Sequence, residues 1–301
     1  MASRISRRSF LLGAAGLAGA AACSSSKPSA PAISVPGATT TTGGASGPTT
    51  NPANQLNLLE TAGPNFLAGL DQRLAFVLRG QSNFITPDAS VTMQFGLYQG
   101  ALGPPVPATV HTDARPAPDY LTVSQRFAHP GTYVSRVNFH GQTADAPFTV
   151  IEPGQSSIPY AGQPMISTPT PTTANSLAVN PICTRNPVCP WHDVSLDAAL
   201  SQHRPLAVLF ATPALCQTAT CGPVLDQLLS LRAAFEPKVR FLHVEIYTDS
   251  SAKANTPPVL AYHLESEPVL FFAGADGVVK QRIDGLFGHA EAQAGLAAIA
   301  G

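Results

Sequence analysis

Charge is scarce in this 301-residue chain: Asp, Glu, Lys and Arg make up 12% of it, and the formal net charge is −1. Residues 1–22 hold Arg4, Arg7 and Arg8 and no acid, so without them 14 basic side chains face 18 acidic ones, a net charge near −4. A cationic surface is what displaces counterions from nucleic acid, so its absence argues against a nucleic-acid partner. Long apolar runs are missing as well. The stretch from Phe10 to Ala22 falls well short of the roughly 20 residues needed to cross a bilayer. It reads as the apolar region of an export signal rather than a spanning helix. Proline, by contrast, is abundant at 29 residues, which suits a chain with long linkers.

Ser6-Arg7-Arg8-Ser9-Phe10-Leu11 resembles the bacterial twin-arginine export signal. Ala20-Ala21-Ala22-Cys23 resembles a lipobox, with Ala20 where Leu is usual. That resemblance implies a lipidated Cys23 as the mature N-terminus, anchored to the membrane. Ordinary cleavage after an Ala-x-Ala site, leaving Cys23 free, is the alternative. Residues 1–23 are thus read as the signal. The protein is expected outside the cytoplasm, lipid-anchored on the outer face of the cytoplasmic membrane or secreted. In that compartment the other four cysteines, Cys183, Cys189, Cys216 and Cys221, read as two disulfides. Four cysteines allow three connectivities, and the short loops favour the two sequence-local pairs. Residues 24–54, rich in Ser, Thr, Pro, Gly and Ala, read as a flexible tether with no core of their own.

Residues 55–152 read as all-β. Arg73–Leu78, Ser90–Phe95, Tyr120–Ser124, Tyr133–Phe139 and Pro147–Val150 carry strand-forming residues, several in apolar–polar alternation, with Gly- and Pro-bearing turns between them. Short strands at this spacing suggest a sandwich. Pro130-Gly131-Thr132-Tyr133 resembles the tyrosine corner of immunoglobulin-like domains, which implies a phenol tied to nearby backbone. His111, His129 and His140 lie in this region and read as solvated side chains, not a copper site.

Residues 153–181 are again rich in Pro, Thr and Ser and read as a semi-extended linker. Residues 182–301 then form a second domain. It opens with Cys183 and Cys189, followed by His192. A Cys-x5-Cys-x2-His string has metal-ligand residue types, but outside the cytoplasm a structural disulfide is the expectation, with no metal and no cofactor. A short helix from Ser195 to His203 follows, with Ser195 as its cap. Then come a strand over Leu206–Ala211, a helix over Pro223–Phe235, a strand over Val239–Ile246, and a helix over Val259–Leu264. Strands over Pro268–Phe272 and Val278–Ile283 and a helix over Ala290–Ala300 close the chain. The order is an α/β unit with helices on both faces of a sheet.

Between the first of these strands and the helix after it lie Cys216 and Cys221. Residues five apart on a straight helix rise by about 7.5 Å, whereas a disulfide needs its Cα atoms within about 7 Å. If the two pair, Cys216 must precede the helix and Cys221 must start it, with Pro223 just inside. Cys221-Gly222-Pro223 at this junction, Glu267-Pro268 before the next central strand, and the hairpin Gly274-Ala275-Asp276-Gly277 together resemble thioredoxin over residues 186 to 301. The fold class expected is therefore an immunoglobulin-like β-sandwich followed by a thioredoxin-like α/β domain.

The resemblance implies that Cys221 attacks a protein thiol or disulfide substrate, with Pro268, in the cis-proline position, and Glu267 holding substrate. Cys216 would resolve the mixed disulfide. Thr220 stands where thioredoxins carry Trp, Val224 replaces their second cysteine, and the buried acid before the motif is replaced by an apolar residue near Leu209. His243 and Glu245, two apart on one strand, read as structural. The function expected is an extracytoplasmic thiol–disulfide oxidoreductase. Two alternatives stay open: a non-catalytic binding module whose Cys216–Cys221 bond is a staple, and a peroxiredoxin-like peroxidase through Cys216, with Arg282 as its possible activating residue.

Overall fold

The computed structural model describes residues 56–61, 63 and 65–301. The export signal, the lipid-anchor residue Cys23 and the tether lie outside the described residues. Among those described, no helix is long and apolar enough to cross a membrane. The molecule is mostly β-sheet with few helices.

Ten strands build the first half: β1 (Asn57–Glu60), β2 (Asn65–Leu67), β3 (Asp71–Arg79), β4 (Phe84–Ile85), β5 (Thr92–Leu97), β6 (Val106–Pro107), β7 (Thr109–His111), β8 (Tyr120–Arg126), β9 (Gly131–Phe139) and β10 (Gln142–Ile151). One sheet runs β1-β3-β8-β7, with β4 also on β3; the other runs β2-β10-β9-β5-β6. Alternate side chains meet in a shared core, including Leu74, Phe76 and Leu78 from β3, Met93 from β5, Leu121 from β8 and Phe148 from β10. This is a two-sheet sandwich. The Tyr133 hydroxyl donates to the His129 carbonyl at 2.9 Å, tying the start of β9 to the turn before it, as the tyrosine-corner resemblance implied. His140 reaches Asp88 at 2.7 Å with both side chains exposed.

β3 is apolar on both faces because both faces are covered. Leu74, Phe76 and Leu78 fill the sandwich core. Val77 instead joins Tyr120 of β8 in a second core, shared with the C-terminal half. A strand buried on both sides reads as a continuous apolar run instead of an alternating one.

The C-terminal half contains α1 (Leu196–Leu200), β11 (Leu206–Phe210), α2 (Cys221–Phe235), β12 (Arg240–Val244), α3 (Pro257–Ala261), β13 (Val269–Ala273), β14 (Val279–Asp284) and α4 (His289–Ala300). Its sheet has the order β12-β11-β13-β14. β11 runs parallel to β12 and antiparallel to β13, and β13 runs antiparallel to β14. Alternation divides the side chains between two cores. Ala207, Leu209, Phe241, Leu270 and Phe272 pack with α2 and α4; Leu206, Val208, Phe210, Val269 and Phe271 pack with α1 and α3. α4 lies so close to β13 that a Cβ on Gly295 would run into the Phe272 ring.

Residues 153–181 are not a free linker. The Gly162 N–H donates to Val279 O, and the Val279 N–H donates to Gln163 O, both at 2.8 Å. The segment thereby covers the outer edge of β14, which would otherwise present unpaired backbone. Met165 is buried, and Tyr262 donates its hydroxyl to Ile166 O at 2.9 Å. Thr170 ties down α1: the Leu196 N–H donates to Thr170 Oγ1 at 2.9 Å, and the Thr170 N–H donates to Ser195 Oγ at 2.8 Å. The helix cap expected from Ser195 thus comes from Thr170, which is 25 residues upstream of Ser195.

The two halves meet around Glu291 in the first turn of α4. Arg73 donates to both of its carboxylate oxygens, at 2.7 and 2.8 Å, and also to Leu286 O. Tyr120 donates to Glu291 Oε2 and accepts from the Gly288 N–H at 2.7 Å. Burial works to raise the Glu291 pKa, but hydrogen bonds and charge from Arg73 outweigh it and hold the carboxyl below its ordinary range. The described residues therefore form one compact unit, not two bodies on a string.

Candidate functional site

Leaving β11, the chain turns sharply: the Cys216 N–H donates to Thr212 O at 3.0 Å. Thr212 is itself fixed, because its Oγ1 accepts the Ile246 N–H at 2.9 Å. The turn brings Cys216 back over the start of α2, where Cys221 is the first helical residue. Their Cα atoms are 6.0 Å apart, and the two sulfurs form a disulfide. The pairing expected from the short loop between them is formed, and Cys216 lies before the helix, as the rise-per-residue arithmetic requires of such a pair.

The two cysteines differ in burial. Cys221 is fully buried, whereas Cys216 is part-exposed. Cys216 is therefore the half of the bond that faces solvent. The neighbours of Cys216 Sγ include the hydroxyls of Thr218 at 3.2 Å and Thr220 at 4.0 Å. Arg282, the residue considered for peroxide activation, is ion-paired with Asp284 at 2.9 Å and donates to Pro159 O.

Beside Cys221 stands an acid whose role the sequence did not disclose. The Glu267–Pro268 peptide bond is cis, as the resemblance implied. Glu267, expected to hold substrate, is part-exposed and also reaches the disulfide. Its Oε2 accepts the Thr212 N–H at 2.6 Å and lies 3.3 Å from Cys221 Sγ. Burial pushes its carboxyl up to about 7, against the opposing pull of the Thr212 N–H. Leu209 on β11 is buried and apolar. A cleft of about 300 Å³, lined by Gln217, Thr218, Tyr247, Ser266 and Glu267 among others, opens beside the disulfide.

A second cluster lies on the α2/α4 face of the sheet. Cys183 and Cys189 are free thiols, so the structural disulfide expected between them is not formed. Both instead face imidazoles. Cys189 Sγ is 3.2 Å from His192 Nε2 and 3.4 Å from His243 Nδ1, and Cys183 Sγ is 3.7 Å from His243 Nδ1. Period-two alternation along β12 points His243 to the same side as Phe241, whose ring stacks on Trp191 at 4.7 Å. The other His243 nitrogen, Nε2, donates to Ala211 O at 2.9 Å. Glu245 accepts from the Thr184 N–H at 2.6 Å and from its hydroxyl at 3.0 Å. Thr184 Oγ1 accepts in turn from the Ala214 N–H at 3.2 Å. His243 and Glu245 thus have the structural surroundings expected of them, and both join this cluster to the loop that carries Cys216.

No protein-family model matches the chain, and no curated protein matches it. Among solved structures, the Lin-41 filamin domain is 11% identical, with a TM-score of 0.23, over 33% of this chain and 94% of that one. The superoxide reductase (neelaredoxin) from Ignicoccus hospitalis is 12% identical, with a TM-score of 0.21, over 33% of this chain and 81% of that one. The titin M10–obscurin-like 1 immunoglobulin complex gives 20%, 0.20, 33% and 94%. At these identities and scores no activity transfers to this chain.

Proposed function

We propose that this protein is an extracytoplasmic thiol–disulfide oxidoreductase with an immunoglobulin-like sandwich and a thioredoxin-like α/β half. It is exported by its twin-arginine signal and anchored through Cys23. The observation that carries the activity is the Cys216–Cys221 disulfide at the start of α2, with the Glu267 carboxyl 3.3 Å from the buried sulfur. The strand order, the cis Pro268 at the start of β13 and the α2 position support the thioredoxin-like reading.

The structure holds the oxidised form. A substrate thiolate attacks Cys216 Sγ, the accessible sulfur, and forms a mixed disulfide. The Cys216–Cys221 bond breaks, and Cys221 leaves as a thiolate. The N-terminus of α2 favours that charge, and Glu267 in its acid form supplies the proton. A second substrate thiolate then attacks its partner sulfur in the mixed disulfide, and Cys216 is released. The substrate loses two electrons as its disulfide forms, and the protein gains them as a dithiol. Run backwards, the same steps reduce a substrate disulfide, with Glu267 as the base for Cys221.

Reaction of the oxidised protein with a dithiol peptide under native conditions tests this. The Cys216–Cys221 bond should open without unfolding. Cys216→Ser should abolish exchange, and Cys221→Ser, given the disulfide form of the same peptide, should accumulate a mixed disulfide on Cys216 as one peptide thiol leaves. A bond that reacts only after the protein unfolds would make it a staple and end the proposal.

A further inference from the structure

Cys183, Cys189, His192 and His243 are 4%, 4%, 2% and 1% exposed, and their four ligand atoms all lie within 4.8 Å of one another. Such a grouping has a natural occupant. A tetrahedral zinc with ordinary bond lengths places its sulfur and nitrogen ligands about 3.6 Å apart along each edge. Three of the four sulfur–nitrogen separations are 3.2, 3.4 and 3.7 Å. Those edges already match the polyhedron, and every other edge is within 4.8 Å.

The outer contacts agree. A ligating imidazole generally donates its second N–H to a carbonyl or carboxylate, which fixes the tautomer and aims the other nitrogen at the metal. His243 does this: Nε2 donates to Ala211 O and leaves Nδ1 facing both sulfurs. His192 is held by its backbone, its carbonyl accepting the Thr173 N–H at 2.8 Å.

We propose that Cys183, Cys189, His192 and His243 bind one zinc ion in a closed, four-coordinate structural site. Two thiolates and two imidazoles in tetrahedral array suit zinc, and four protein ligands leave no position open for a substrate or water. The two thiols give up their protons on binding, and no oxidation or reduction is involved. The ion joins β12 to the Cys183–His192 loop. Through Ala211 and Thr184 it also braces the chain leading to Cys216. The site stands independently of the thiol-exchange reading, since neither Cys216 nor Cys221 belongs to it.

Metal analysis of the folded, exported protein, purified without chelator, is the test. One zinc per chain is expected. Replacement by cobalt should give the visible bands of a tetrahedral thiolate centre. His192→Ala and Cys189→Ser should each weaken zinc binding by at least tenfold, read by competition with a chelating dye. Because such variants can lose their fold, the wild-type protein alone must also decide. A reduced, folded wild type that retains no zinc after saturation and desalting would overturn the site. So would peptide mapping that finds Cys183 joined to Cys189, or retention of copper in preference to zinc.

Discussion

A carboxyl group with a pKa near 7 is about half ionised at neutral pH, which suits it to both giving and taking a proton. Glu267 holds that position through burial, 3.3 Å from Cys221 Sγ. Glu267→Gln keeps the shape and removes the titration. It should slow exchange through Cys216–Cys221 by about 100-fold and flatten the rate's pH dependence around pH 7, measured by stopped-flow reaction with a dithiol peptide. The same shift bears on stability. The folded protein keeps this proton to higher pH than the unfolded chain does, so wild-type stability falls as pH rises from the ordinary 4.5 through about 7. The Gln variant should lack that decline, seen as a smaller loss of urea midpoint between pH 5 and pH 8. The pairing of Cys216 with Cys221 was legible in the sequence because the loop between them is short, and helix rise then required Cys216 to precede the helix. The burial order of the two sulfurs was not, because it depends on how α2 packs on the sheet. Nor was the role of Glu267, which a turn 46 residues beyond Cys221 carries to the sulfur. His243 is likewise 60 residues from Cys183 in sequence, so a local Cys-Cys-His string could not reveal the fourth member of its cluster.

Elements were read most securely where a periodic pattern fills one core. The strands at β5, β8, β9 and β10 fall where strand-forming runs place them, and the helices at α2 and α4 lie where helical runs were expected. Close approach between elements is a different matter, and α4 shows why. Gly295 has no side chain because the Phe272 ring occupies that space. Gly295→Ala raises helix propensity yet should destabilise the protein by about 1–3 kcal/mol through overpacking, as a lowered denaturant midpoint. Thr170→Val tests another contact between elements. It removes the acceptor for the Leu196 N–H and should cost about 1 kcal/mol, with faster amide exchange at the start of α1. Composition named the segment carrying Thr170 extended, and so it is. What composition could not convey is that its backbone groups pair with β14 and that its threonines cap a neighbour.

The whole molecule unfolds as its shared core dictates. Val77 and Tyr120 from the sandwich lie in one apolar cluster with Phe287 and Leu296 from the C-terminal half. A single heat or urea transition is therefore expected for residues 56–301, and two separated transitions would contradict it. Arg73→Met leaves Glu291 mostly buried without its cation and should cost about 3 kcal/mol. Glu291 has a depressed pKa in the folded state, so its contribution is present above the ordinary carboxyl range and fades as pH falls through the folded value. The variant should accordingly lose its deficit relative to wild type as the pH is lowered toward 3. The sequence could not show this junction, because the apolar run of β3 gives no sign of which neighbour covers its second face. Trp191 makes the junction measurable without a label. It is the single indole in the chain, buried against Phe241, and it lies between Cys189 and His192 in sequence. Its fluorescence emission therefore originates wholly in the C-terminal half, so a red shift that coincides with loss of the sheet signal in circular dichroism would report both halves coming apart at once.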